Sequence, residues 1–135
     1  MKICLIHGKR VAREVLARAL ASRLSADVEV YSCCENALAC SLDYEVFVVY
    51  NNFRQKKSGV RGVAEIRIRK PEALIIGVSG SPNSHKRFLL AGADAFLLRA
   101  GNEIEELVGI IRRIVETNER EPMSGGRRSR LLATR

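Results

Sequence analysis

Polar residues with possible chemical roles follow the most apolar stretch of the chain. The run Val46–Val49 (VFVV) is continuously β-branched and aromatic, which is typical of a strand covered on both faces of a parallel sheet. Tyr50, Asn51 and Asn52 come directly after it. In α/β proteins, ligands and reacting groups lie at this carboxyl end of the strands. Because the strand end offers no carboxylate, thiol or glycine-rich phosphate loop, the sequence predicts either a lost activity or a different one.

The cysteines and histidines do not form a metal-binding pattern. Cys33 and Cys34 are adjacent, there is no C-x-x-C pair, and His7 and His85 are far apart, whereas structural zinc sites use closely spaced ligand pairs. We therefore expect no metal and no cofactor, and mostly buried, reduced cysteines. A redox role for the Cys33–Cys34 pair is the minor alternative.

The length and composition indicate a single soluble domain. The chain has 135 residues, of which 47% are hydrophobic and 28% charged, an ordinary globular composition. No apolar run approaches the roughly 18 residues of a membrane span, and the first strand is too short for a signal peptide. We expect a cytoplasmic protein.

Five apolar strands alternate with five helical patterns along the chain. This alternation predicts an α/β fold, a doubly wound sheet of parallel strands. A domain over residues 1–118 and a basic, flexible tail over residues 119–135 are expected, because the helical pattern ends near Thr117 and a Pro- and Gly-containing stretch follows. The predicted strands are 2–6, 28–31, 46–49, 73–78 and 95–98.

The helix boundaries follow from capping signals. Ser32 and Glu35 have the spacing of a capping box, which predicts a second helix through about Leu42. Ser81 before Pro82 predicts the start of the fourth helix, and Gly92 predicts its end. The apolar spacing of the first helix begins at Val11 and continues through Val15 to Leu24. In the third helix, which Pro71 ends, Gly59 and Gly62 are destabilising.

Residues 1–118 resemble a response-regulator receiver domain of the CheY-like type. The resemblance rests on KICLIHGKR, on YEVFVVYNN, and on the block IIGVSGSP…AGADAFLLRAGNEIEELVGII. It implies a flavodoxin-like arrangement of five strands in the order 2-1-3-4-5.

The resemblance also implies a five-part site, whose positions are filled here by unusual residues. His7 and Gly8 stand where receivers carry the acidic pair that holds Mg²⁺, and Tyr50 stands where they carry the phosphoacceptor aspartate. Ser79 matches the hydroxyl residue after the fourth strand. Arg99 replaces the lysine after the fifth strand, and the switch aromatic corresponds to Phe96.

These replacements predict a degenerate receiver, or pseudo-receiver, that is not an enzyme. Mg²⁺ normally takes one or two carboxylates, and a phenol with a pKa near 10 is a poor nucleophile without a base. We expect a phosphorylation-independent protein-interaction module of two-component signal transduction. By resemblance its partner, either another signalling protein or a second copy in a homodimer, would bind helix 4, strand 5 and helix 5. That face offers His85, Lys86, Arg87, Arg99, Arg112 and Arg113.

Two alternatives remain open from the charge distribution. The net charge of +8 is concentrated in residues 54–70, with a sum of +6, and in residues 120–135, with a sum of +4. These segments could bind nucleic acid, although no nucleic-acid-binding motif accompanies them. The other alternative is a small anionic ligand at the altered pocket, bound by Arg99, a protonated His7, the Ser79 hydroxyl and the two asparagine amides.

Overall fold

The computed structural model of the chain describes residues 1–51 and 58–120, with side chains as far as Asn118. Strands and helices alternate throughout this part. The elements are β1 (Lys2–Ile6), α1 (Arg10–Leu24), β2 (Asp27–Tyr31), α2 (Cys34–Leu38), β3 (Val46–Tyr50), α3 (Gly59–Arg69), β4 (Leu74–Ser79), α4 (Ser84–Ala91), β5 (Ala95–Leu98) and α5 (Glu103–Arg120). The predicted domain boundary after residue 118 lies within α5, and residues 121–135 of the predicted tail lie outside the described residues.

The strands form one parallel sheet in the order β2-β1-β3-β4-β5, as predicted. β3 lies at its centre, where Ile6 of β1 pairs with Val49 and Val78 of β4 pairs with Tyr50. Every residue of β3 is buried, because helices cover both faces of the sheet. The apolar run Val46–Val49 therefore forms the middle of the fold.

The two faces of the sheet have separate cores. Leu20 of α1 and Leu107 of α5 pack with Val48 and Tyr50 on one face. The core of the opposite face contains Phe47 and Val49 of β3 together with residues of α2, α3 and α4. Because successive strand residues point to opposite faces, the phenol of Tyr50 faces α1 and α5.

The predicted start and end of α2 were wrong. The helix begins after Cys33, which makes no side-chain cap, and ends at Leu38. The Ser32 hydroxyl accepts a hydrogen bond from the Asn36 amide at 3.1 Å and does not cap the helix. Leu42, where the helix was expected to end, is buried with a left-handed φ of 59°, which no helix residue adopts.

The predicted start of α4 was also wrong. Ser81 is not its N-cap: the helix begins at Ser84, after Asn83. The Ser81 backbone N–H donates to the Ser79 hydroxyl at 3.0 Å, which ties residue 81 to the end of β4, and a turn carries the chain to the helix. The end at Gly92 was predicted correctly, with a left-handed φ of 119°.

Two features of the helices differ from the expected apolar faces. Val11 and Val15 of α1 are 74% and 54% exposed, so the buried face of this helix begins only at Leu16. Gly62 of α3 does not merely weaken the helix, because a Cβ there would lie 2.3 Å from the Cys34 Sγ. This glycine allows α2 and α3 to approach each other.

Candidate functional site

His7 and Tyr50 contact each other at the carboxyl edge of the sheet. His7 follows Ile6 of β1 and Tyr50 follows Val49 of β3, and Ile6 and Val49 pair in the sheet. Their ring centroids are 4.3 Å apart, and the residues are 2% and 1% exposed, respectively. The structure therefore brings together two of the residues that the sequence placed at the altered pocket, and it buries both.

The Tyr50 hydroxyl donates a hydrogen bond to the Glu103 carboxylate at the start of α5. Burial raises the pKa of Tyr50 far above its usual value, and the bond to Glu103 raises this pKa further. Glu103 was assigned no role from the sequence. Strand alternation places Tyr50 on the opposite face of the sheet from Val49, but it does not show that α5 covers that face.

His7 is held as a neutral imidazole. Its Nδ1 accepts a hydrogen bond from the Lys9 backbone N–H at 3.0 Å, so the ring carries no proton on that nitrogen. Burial lowers the pKa of His7 to about 4, assisted by the positive charges of Arg99, Arg13 and Lys9. The Arg13 guanidinium also donates to the His7 carbonyl at 2.8 Å. His7 is therefore uncharged at neutral pH.

Ser79 and Arg99 lie at the ends of β4 and β5. The Ser79 hydroxyl is 3.2 Å from the Ser84 hydroxyl, and both serines are at most 5% exposed. The Arg99 backbone N–H donates to the Ser79 carbonyl at 2.9 Å. The Arg99 side chain is 40% exposed, with its Nε 4.0 Å from a Glu103 oxygen, so this ion pair is loose.

Phe96 is a core residue. It is 1% exposed and contacts Phe88, with ring centroids 5.8 Å apart. His85, predicted to belong to a partner face, stacks on Phe96 at 5.0 Å with an interplanar angle of 10°. The half-buried imidazole therefore covers the aromatic ring from the α4 side.

A cleft of about 840 Å³ opens beside these residues. We call it the basic cleft, because four cationic residues line it and none of its described lining residues is acidic. The cations come from the β1–α1 connection, α1, α4 and the end of β5. The remaining lining residues are small or polar, and Gly8 is among them. The full lining is Gly8, Lys9, Arg10, Asn51, Ser79, Gly80, Ser81, Ser84, Arg87 and Arg99.

The other predicted surface residues do not form one continuous set. Lys86, Arg87 and Arg113 are exposed. Arg112 is also exposed, but it donates to the Arg23 carbonyl at 3.0 Å, and thus contacts the end of α1. It lies away from α4.

The basic segment 54–70 is partly structural. Arg67 donates to the carbonyls of Gly92, Pro71 and Ala73 and forms a 2.8 Å ion pair with Asp94. Arg69 donates to the Leu38 carbonyl at 2.6 Å. These contacts anchor α3 to its neighbours, and the ion pair with Asp94 compensates the charge of Arg67, whereas Arg69 remains exposed. Residues 54–57 and 121–135 lie outside the described residues.

The fold is that of response-regulator receiver domains. A CheY-like receiver domain protein from Methanospirillum hungatei matches with a TM-score of 0.78 at 18% identity, covering 89% of this chain and 97% of that one. The response regulator TrrA from Thermotoga maritima, in complex with Mg²⁺ and beryllofluoride, matches with a TM-score of 0.75 at 20% identity, covering 84% and 97%. NtrX from Brucella abortus matches at 0.78 and 18%, covering 89% of this chain and 28% of that one.

No protein-family model matches the chain, and no curated protein matches it. At these identities the structural likeness shows the fold alone. Among residues 1–51 and 58–120, no helix is long and apolar enough to cross a membrane.

The residues at this edge do not fit the Mg²⁺ that receiver domains bind. Mg²⁺ requires hard oxygen ligands, normally with carboxylates among them, but His7 offers a nitrogen and Tyr50 a protonated phenol. The nearby carboxylate of Glu103 accepts the Tyr50 hydroxyl. Within the described part of the chain, no group of three histidine, cysteine or acidic side chains could hold a metal ion.

Proposed function

We propose that this chain is a degenerate receiver domain that acts in signalling without phosphorylation, by binding another protein. The observation that carries the proposal is the buried Tyr50 hydroxyl donating to Glu103. This bond occupies the position at which the receiver fold normally presents a reactive carboxylate. A carboxylate in contact with a phenol suggests a base beside a nucleophile, but Tyr50 is 1% exposed, so no phosphodonor reaches its hydroxyl.

The same arrangement favours one packing of the interaction surface. Phe96 is enclosed between Phe88 and His85, and Ser79 is engaged by Ser84 and the Ser81 backbone. Without a phosphoryl group to attract the Ser79 hydroxyl, no described contact drives an inward or outward movement of Phe96. We therefore propose a constitutive partner surface on α4, where Leu90 is 75% exposed beside the exposed Lys86 and Arg87.

The first experiment tests the chemistry. The chain is incubated with Mg²⁺ and either beryllofluoride or acetyl phosphate, then followed by NMR and intact-mass measurement. We expect no adduct and no shift of the residues at the carboxyl edge. Tyr50→Asp serves as the matched variant and should also remain unmodified, because the two Mg²⁺-binding acids are still missing. Phosphorylation of the unaltered chain would refute the proposal.

The second experiment tests the surface. Leu90→Asp on α4 should abolish self-association, measured by analytical ultracentrifugation, or the capture of a partner. Val11→Asp on α1 is the control, since Val11 is equally exposed at 74% and α1 covers the opposite face of the sheet from α4. Equal effects of the two variants would show that the proposed face is not the binding surface.

A further inference from the structure

We propose that the basic cleft binds the phosphate group of a small phosphorylated molecule without covalent attachment. The cleft shares Arg87 with the partner surface proposed above, but the two proposals are tested by different variants and different measurements. Its starting point is that Lys9, Arg10, Arg87 and Arg99 converge on the cleft from separate elements, with no acid among the described lining residues. A solvated surface usually mixes both signs of charge.

The cations retain capacity for a ligand. Within the described part of the chain, Arg99 directs its Nε towards Glu103, at 4.0 Å, which leaves the forked terminal nitrogens that suit phosphate oxygens. Arg10 makes a single contact with Glu14, at 3.3 Å, on the exposed surface, where ion pairs contribute little. A dianion therefore meets positive charge that is only weakly compensated.

Ser79 and Ser84 supply a buried hydrogen-bond donor on the wall of the cleft. The Ser79 oxygen accepts from the Ser81 N–H and also bonds the Ser84 hydroxyl. In a pair of hydroxyls one proton lies between the two oxygens, so the other proton has no acceptor within the pair. Since both serines are at most 5% exposed, an oxygen of a bound phosphate would provide that acceptor.

Asn51, which follows β3 beside Ser79 of β4, provides a second donor. Its Oδ1 accepts the Gly59 backbone N–H at 3.0 Å, which assigns the oxygen and leaves the amide NH₂ group as a donor. Burial is the main cause of the lowered pKa of His7, and the positive charges of Arg99, Arg13 and Lys9 lower it further. Charge and donors therefore select an anion.

The cleft has room for a ligand larger than inorganic phosphate. About 840 Å³ is near the upper end of small-molecule sites. A free phosphate ion and the phosphate end of a nucleotide would use the same cations, so the shared chemistry is the phosphate group. The experiment separates the two sources.

Titration calorimetry with the full chain uses inorganic phosphate, pyrophosphate, ADP and adenosine as probes. We expect binding by pyrophosphate and ADP and none by adenosine. ADP binding more tightly than pyrophosphate would identify a nucleotide-type ligand, whereas equal affinity would identify the free anion. Either result supports the phosphate site.

The matched variants are Arg87→Gln and Arg113→Gln, which remove the same charge from exposed positions on α4 and α5. Arg87→Gln should weaken ADP binding about tenfold or more, as expected for a lost charged hydrogen bond, while Arg113→Gln should change it less than about twofold. Thermal unfolding checks that both variants fold. Equal loss in both variants, binding of adenosine alone, or no binding at about 10 mM ligand, a concentration above the weakest usual affinities, would each overturn the proposal.

Discussion

The Tyr50–Glu103 hydrogen bond makes a measurable prediction for stability. Tyr50→Phe removes only the hydroxyl and keeps the ring against His7. Hydrogen bonds to charged groups contribute about 1.5–3 kcal/mol. The Glu103 side chain is 24% exposed, so water can replace part of the lost bond, and we expect a loss near the lower end, about 1.5–2 kcal/mol.

The informative comparison is the same substitution in a Glu103→Ala background. There the Tyr50 hydroxyl is buried without its acceptor, and a buried unsatisfied donor costs about 1–3 kcal/mol. Tyr50→Phe removes that donor and should become neutral or stabilising. The cycle should therefore give a coupling energy of about 1.5 kcal/mol or more, within the range for residues in direct contact.

Urea unfolding followed by far-UV circular dichroism at neutral pH measures these values, provided that the m-value stays constant. Glu105→Ala is the matched control background, because Glu105 lies on the same turn of α5 but pairs with Arg23 at the surface. In that background Tyr50→Phe should cost as much as in the unaltered chain. An equal cost in the Glu103→Ala background would refute the reasoning, since it would mean that the two groups are not coupled.

Two further predictions concern buried charges. His7 is neutral in the folded chain, with a pKa of about 4, but its pKa is near 6.5 in the unfolded chain. Its contribution of about 3 kcal/mol to the free energy of unfolding is therefore complete above pH 6.5 and is lost as the pH falls towards 4. Urea unfolding at pH 7 and 4.5 should show a smaller fall in stability for His7→Asn than for the unaltered chain, and equal falls would contradict this. Arg67→Gln should lower the free energy of unfolding by about 3 kcal/mol, because it leaves the Asp94 carboxylate buried without its cation. Arg61→Gln, at an exposed position of the same helix, is the control and should change stability by less than about 0.5 kcal/mol. Equal effects would show that the Arg67 contacts do not anchor α3.

The fold followed from the sequence because its strongest signals are local. Val46–Val49 is continuously apolar rather than alternating, and this predicts a strand that is buried on both faces, whichever strands lie beside it. The strand order was predicted by resemblance and is confirmed. The predicted bounds of α2 and the predicted start of α4 were wrong for another local reason: the Ser32 and Ser81 signals compete with side-chain and turn hydrogen bonds that a capping pattern does not reveal.

The site was only partly predictable because its contacts join distant segments. His7, Tyr50, Ser79 and Arg99 follow strand ends, so parallel topology alone places them at one edge. Glu103 lies 53 positions from Tyr50, and its role depends on where α5 begins relative to β3. Helix capping explains why an acid is favourable at that position, but it does not reveal that a buried phenol lies within reach.

The substitutions at the carboxyl edge act together on electrostatics. A receiver site that binds Mg²⁺ needs negative potential before the phosphoryl group arrives, whereas Lys9, Arg10, Arg87 and Arg99 make the described cleft positive. The one nearby carboxylate, on Glu103, is engaged by Tyr50. Restoring an aspartate at position 50 would therefore free Glu103 and add one charge, yet leave the cations that repel a divalent metal. On the proposed function, phosphorylation would require the sign of the whole edge to change, and the same cations would favour an anion that arrives already phosphorylated.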